Sequence, residues 1–357
     1  MSQESRRRYV ILAEDNFGEP ASKTAMGVII YGRDEVVAVL DSTRAGRNVS
    51  EWLPGNDIPV VASLEASLPL EPTALLIGIA PPGGKIPPVW RDIIDVAIAN
   101  GLDIVSGLHE LVSDDAEFIA AAATAGVELI DYRRPPRRRE VASGRAHRKG
   151  SHVVLTVGTD CAVGKMTVAL ELRRAADEAG LSTAFVPTGQ TGIMIEGWGA
   201  PVDGVVSDFL QGTCEWLVEQ AEDMGDWIFV EGQGAIDHPA YSAVTLGLVH
   251  GSAPDAMVLV HHVGRVLRHG WEDRDVVGAA IKPLSQNIAL YETVAAAVAP
   301  SKVVAVALNT GGLDEDEARA EIAAVAESTG LPTDDPFRFG PGRLFGAIRS
   351  TLETASA

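Results

Sequence analysis

The stretch from Val153 to Gly180 constrains this chain more than any other. Val153–Val157 reads as a short buried strand, GTDCAVGKMT (Gly158–Thr167) as a glycine-bearing loop, and VALELRRAADEAG (Val168–Gly180) as an amphipathic helix with a glycine C-cap. A strand, a Gly-Lys loop and a helix in that order make the context of a phosphate-binding loop. Glycines let backbone N–H groups turn toward a phosphate, the helix N-terminus adds partial positive charge, and the lysine neutralises oxygens further out. The standard pattern has four residues between its glycines and Ser or Thr directly after the lysine. Here five residues separate Gly158 from Gly164, and Met166 stands between Lys165 and Thr167. Gly158, Thr159, Asp160, Val163, Gly164, Lys165, Met166 and Thr167 are therefore the candidate cofactor-binding set. The loop alone leaves hydrolysis, phosphoryl transfer, ATP-dependent ligation and simple capture of a diphosphate open.

The rest of the chain predicts α/β architecture in two domains, as a length of 357 residues suggests. In the first, VIIYG (Val28–Gly32), VVAVLD (Val36–Asp41), PVVA (Pro59–Ala62), ALLIGIA (Ala74–Ala80), DIVSG (Asp103–Gly107) and VELID (Val127–Asp131) read as strands. Trp90–Asn100 and Ala116–Ala125 read as helices, so a parallel sheet covered on both faces is expected. No G-x-G-x-x-G is present, which weighs against a nicotinamide dehydrogenase. Asp41 and the loop GIAPPGG (Gly78–Gly84) lie at strand ends, where ligands collect in open parallel sheets, or else are ordinary turns. Arg133–Lys149 holds eight basic residues and one acid, with paired prolines and no apolar periodicity. It reads as a linker, giving domains 1–132 and 151–357 with a basic connector at 133–150. That connector either neutralises acidic neighbours or touches an anionic ligand or partner subunit.

Further candidates follow the P-loop. Thr188, Gln190 and Thr191 in TGQTG leave the strand Thr183–Pro187 as a flexible loop of neutral donors suited to a carboxylate or phosphate oxygen. Asp208 opens a helix from about Ser207 to Met224, as a cap or as a group that recognises a substrate amine or binds a metal. Glu231 ends the apolar strand Trp227–Val230, where a carboxylate beside a P-loop suits Mg²⁺ together with Thr167. Asp237 and His238 follow in AIDHPAYS, and a loop histidine suits a general base toward an amine. His261 and His262 follow AMVLV without a third ligand at zinc spacing.

Charge narrows the partners. With 49 acidic and 29 basic residues the chain carries −20, which disfavours nucleic acid and anionic membranes as partners. Prolines interrupt every apolar stretch of membrane-spanning length, the N-terminus lacks an apolar run, and two cysteines make no disulfide framework. A cytoplasmic protein is expected, and a homo-oligomer on general grounds of size.

GTD-x-x-VGK resembles the loop of dethiobiotin synthetase and the related cobyrinic acid amidotransferase synthetases. VEGQG within DWIFVEGQGAIDHPAYS resembles their strand ending in Val-Glu-Gly-x-Gly, and VVAVALNTGG, followed by LPTDDPFRFGP, their final strand. That last likeness implies Asn309 near a nucleotide base. Over nearly its whole length the chain resembles a P-loop family first catalogued as domain of unknown function 1611, with a Rossmann-like N-terminal domain. The shared segments are SKTAMGVIIYG, GTDCAVGKMT, PTGQTGIMI, VEGQG and LVHGSAPDAMVLVH. Some members are described as DgcN-type D-glutamate N-acetyltransferases of D-amino acid catabolism. The resemblance implies a Rossmann-like sheet joined to a dethiobiotin-synthetase-like P-loop domain, and N-acetylation of an acidic D-amino acid by acetyl-CoA. The diphosphate of coenzyme A would then sit in the loop, which suits Met166 in place of a Mg²⁺-binding hydroxyl. Lys165, Glu231, Asp237 and His238 are the candidate catalytic residues. An ATP- and Mg²⁺-dependent ligase or kinase, with Lys165, Thr167 and Glu231 placing MgATP, and a non-catalytic nucleotide-binding regulator remain the alternatives.

Overall fold

Short runs of Val, Ile and Leu buried on both sides form two separate parallel sheets. The computed structural model describes residues 6–18, 20–79, 81, 84–272 and 276–356. It divides into one unit of residues 1–135 with 193–201, and a second of residues 136–192 with 202–357.

In chain order the first unit contains β1 (Arg8–Leu12), α1 (Lys23–Tyr31), β2 (Glu35–Leu40), β3 (Val60–Val61), α2 (Leu64–Ser67), β4 (Ala74–Ile77), α3 (Pro88–Ala99), β5 (Asp103–Ser106), α4 (Ala116–Ala125) and β6 (Leu129–Asp131). The strands pair in parallel in the order β3-β2-β1-β4-β5-β6, which makes this sheet Rossmann-like. VIIYG is not a strand: it closes α1, the crossover from β1 to β2. A short β-branched run cannot by itself be told from a buried helical turn. The spacing that decides is set upstream, since Thr24, Ala25, Gly27 and Val28 bury one helical face. Sequence reasoning also missed the central strand β1, RYVIL, although the turn residues of EDNFG follow it. Helix α1 lies close to the sheet at Gly78, where any Cβ would collide with Ile11 and crowd Ala25.

The strand-end candidates of this unit prove structural where they are described. Asp41 is fully buried and accepts the N–H of Phe17 at 3.0 Å, the N–H and hydroxyl of Thr43 at 3.1 and 2.6 Å, and the Arg44 guanidinium at 3.0 Å. Burial alone would raise its pKa, but these donors outweigh burial and hold it low. No lone pair is left facing a ligand. The loop Gly78–Gly84 falls in part, at Ala80, Pro82 and Gly83, outside the described residues.

The chain continues with β7 (His152–Gly158), α5 (Lys165–Glu178), β8 (Thr183–Val186) and α6 (Gln190–Glu196, whose residues from Ile193 count with the first unit), and the second unit goes on with α7 (Ser207–Glu222), β9 (Trp227–Val230), α8 (Ser242–Ser252), β10 (Ala256–His262), α9 (Leu284–Ala295), β11 (Lys302–Asn309), α10 (Glu315–Thr329), β12 (Thr333–Asp334) and α11 (Gly342–Ser356). Its parallel order is β12-β11-β10-β7-β9-β8, so the P-loop strand β7 is central, between β9 and β10. Helix α11 seals one face, with Phe345 against Trp227 at 5.5 Å between ring centres. The basic stretch lies along α7. The Glu215 carboxylate accepts the N–H groups of Ser143, Gly144 and Arg145, and Arg145 and Arg148 ion-pair with Glu222 and Asp226 at 2.7 Å. Among the described residues no helix is long and apolar enough to cross a membrane.

Candidate functional site

The P-loop hangs from the end of β7 and turns into α5 at Lys165. Two left-handed residues shape it, Ala162 at φ +51° and Gly164 at φ +108°. Gly158 is glycine because the Lys165 side chain runs across it, with Cδ 3.0 Å from where a Cβ would sit. Gly232 explains the first glycine of EGQG: a Cβ there would collide with the Thr156 carbonyl. Beneath the loop, the fully buried Tyr291 hydroxyl of α9 donates to the Gly158 carbonyl at 2.7 Å. It also accepts the N–H groups of Gly158 at 3.3 Å and Ile236 at 3.1 Å.

The loop carbonyls are held by cations. Arg268 donates to Thr159 O at 3.3 Å, Lys165 to Asp160 O at 2.8 Å, and Arg265 to Cys161 O at 2.7 Å and Ala162 O at 3.3 Å. Arg265 also meets the buried Asp160 carboxylate at 3.3 Å, where the His269 N–H donates at 2.7 Å. With carbonyls outward, the peptide N–H groups are left to the inner side, the arrangement that receives a phosphate. Sequence reasoning missed Arg265, Arg268 and Tyr291. Loop arginines are usually solvated, and nothing local in HHVGRVLRHG distinguishes a buried one.

The candidates resolve into those the fold gathers at the loop and those it uses elsewhere. Asn309 ends β11 with its Nδ2 4.0 Å from the Cβ position of Gly164, at the loop's edge. Asp237 is clamped by Arg268 at 3.0 Å and Lys282 at 2.8 Å. Burial would raise its pKa, but Lys282 and Arg268 keep it low. His238 is 1% exposed, and burial, then Arg268, lowers its pKa. His261 bonds Thr159 Oγ1 through Nδ1 at 2.8 Å, and burial, then His262 and Arg265, pushes its pKa down to about 4.

Glu231 is nearly buried and turned away from solvent. One carboxylate oxygen accepts the N–H groups of Thr188 at 3.0 Å and Gly189 at 3.2 Å, and Thr188 Oγ1 donates to the Glu231 carbonyl at 2.9 Å. TGQTG thus does receive a carboxylate, but the chain's own. From Gln190 it is helix α6 rather than a loop, which leaves Gln190 and Thr191 in its first turn. Asp208 is exposed in the first turn of α7, beside an N-cap at Val206 that makes no side-chain capping bond. It does not cap the helix, and its benefit there is the helix dipole.

Asp160, Cys161 and His238 offer oxygen, sulfur and nitrogen atoms within 4.8 Å of one another, which is metal-ligand spacing. The ring polarity opposes that use. His238 Nδ1 accepts the Ala240 N–H at 3.1 Å, so the ring proton sits on Nε2, facing Asp160 Oδ1 at 3.7 Å. A metal-ligating histidine has the reverse arrangement, with a bare nitrogen on the metal and N–H on the far side.

The family described as "Domain of unknown function (DUF1611_C) P-loop domain" matches residues 140–345, and its Rossmann-like companion DUF1611_N matches residues 42–135. A D-glutamate N-acetyltransferase of Tritonibacter scottomollicae is 36% identical over 345 residues, covering 95% of this chain and 98% of that relative. Another from Pseudoalteromonas sp. is 35% identical over 266 residues, 74% of this chain and 78% of its own. The crystal structure of a DUF1611 family protein from Anabaena variabilis has 38% identity and a TM-score of 0.90, covering 97% of this chain and 100% of that one.

Proposed function

Because the chain belongs to the DUF1611 family through both of its domains, we propose that it is an N-acetyltransferase that moves the acetyl group of acetyl-CoA to the amine of an acidic D-amino acid such as D-glutamate. The observation that carries this reading is the near full-length match to a relative with that name, joined to an intact P-loop nest. In the transfer the neutral amine attacks the thioester carbonyl, the C–S bond breaks, coenzyme A leaves as thiolate, and the amine proton passes to a base. Lys165, the loop N–H groups and the α5 N-terminus hold the diphosphate, and Asn309 borders the adenine side.

That assignment separates binding from chemistry. The pantetheine arm spans roughly 15 Å when extended. With the diphosphate in the loop, the reacting carbonyl lies far from Asp237 and His238, which support the loop. The ligase or kinase reading has one observation in its favour, the strand-end carboxylate of Glu231, one oxygen of which is held by Thr188 and Gly189.

The test measures thiol release from acetyl-CoA with D-glutamate, D-aspartate and L-glutamate, and ADP release from ATP in parallel. CoA release that depends on an acidic D-amino acid is expected. Substrate-dependent ADP release without CoA release would replace the acetyltransferase by a ligase or kinase. Nucleotide binding with no turnover of either kind would leave a regulator.

A further inference from the structure

We propose that the nest binds an adenosine diphosphate ester without a divalent cation, and that Arg265 and Arg268 supply through the loop's own peptide groups the positive potential that a metal ion supplies in hydrolytic P-loops. This rests on the reading that the loop receives a diphosphate. The donor set comes first. The hydroxyl expected directly after the P-loop lysine is replaced by Met166, and the Glu231 carboxylate is engaged by two backbone N–H groups. The usual hydroxyl holder of Mg²⁺ is thus displaced, and one oxygen of the usual carboxylate is engaged.

The second observation is the run of carbonyls from Thr159 to Ala162, each accepting from Arg268, Lys165 or Arg265. A peptide whose oxygen accepts from a cation is polarised, which makes its own N–H a stronger donor. The N–H groups so strengthened belong to Asp160, Cys161, Ala162 and Val163, the positions a P-loop turns toward phosphate. Among the described residues, those of Ala162, Val163 and Gly164 donate to no protein acceptor. The left-handed Ala162 and Gly164 turn this backbone into a concave nest.

Neither arginine has to touch the ligand. Arg268 is fully buried, and Arg265, 16% exposed, lies on the carbonyl side of the loop. They are positioning residues: Arg265 pairs with Asp160, and Arg268 shares Asp237 with Lys282.

The test is calorimetric titration of the full-length protein with ADP and with CoA, once in EDTA and once in excess Mg²⁺. Dissociation constants agreeing within about threefold between the two buffers are expected. Arg265→Gln weakens both ligands by about tenfold or more, and Arg265→Lys restores part of the loss, which a role in packing alone does not explain. Thermal melts confirm that these variants are folded, and the comparison of buffers needs no variant. Mg²⁺ tightening either ligand by more than about tenfold, or unchanged affinity in Arg265→Gln, overturns the proposal while leaving the P-loop reading in place. Failure of the unaltered protein to bind either ligand in either buffer overturns the P-loop reading itself.

Discussion

Tyr291→Phe removes one oxygen from beneath the P-loop and nothing else. The ring is fully buried and Phe fills the same volume, so no cavity term arises. What is lost is a 2.7 Å bond to the Gly158 carbonyl, and acceptance of the Ile236 and Gly158 N–H groups at 3.1 and 3.3 Å. Burial raises the phenol pKa, so the hydroxyl stays protonated and its donor role is constant across ordinary assay conditions. A buried group left without its partner costs about 1–3 kcal/mol. The longest of the three bonds contributes least, so two groups dominate and the sum is about 2–6 kcal/mol. For a cooperative unit of roughly 200 residues that lowers Tm by about 4–24 °C. Urea unfolding followed by far-UV circular dichroism, with thermal melting beside it, measures both figures. A Tm change under about 2 °C would mean that water or backbone relaxation satisfies these groups and that Tyr291 does not tie the loop to its strand.

Lys165→Ala weakens ADP and CoA binding by about tenfold or more, read by calorimetry. Asp41→Asn destabilises the first unit by about 1–3 kcal/mol, since Phe17, Thr43 and Arg44 lose a charged acceptor, yet leaves ADP affinity untouched. An affinity change there would place the ligand at the first sheet. His261 titrates near 4 when folded and at about 6.5 when unfolded. Between those values the unfolded chain binds more protons, so stability is present above about pH 6.5 and falls as pH drops toward 4. His261→Asn flattens that limb in urea titrations at stepped pH, and an unchanged slope would contradict the assignment.

The P-loop was legible because its chemistry is local: a strand, two glycines, a lysine and a helix within one short segment. The parallel α/β class was equally plain from apolar runs alternating with amphipathic ones. VIIYG misled because β-branched residues favour strands only where a pleated surface awaits them, and here the buried spacing of α1 prevails. TGQTG looked open because its partner, Glu231, follows the end of another strand far along the chain. Arg265 and Arg268 escaped notice for the same reason, since only the return of β10 beside β7 sets their guanidinium groups against loop carbonyls. The basic stretch was recognisable by charge, but its path along α7 depends on Glu215 and on Gly212, where a Cβ would collide with the Glu140 carbonyl.

The order of the first sheet has a consequence for how that unit is built in time. Its earliest strand, β1, is also its middle one, with β2 on one flank and β4 on the other. Tyr9 pairs with Val36 on one side and with Ala74 on the other. During synthesis the centre of the sheet therefore leaves the ribosome first and waits, apolar and open along one edge, until the chain has grown past Ile77. Parallel pairing over such separations is slow, because loop-closure entropy is spent before contacts are made. An unpaired RYVIL edge is in the meantime a template for the wrong strand. The P-loop unit meets the same hazard, since β7 is both its earliest strand and a central one, and its partners β9 and β10 follow later still in the chain.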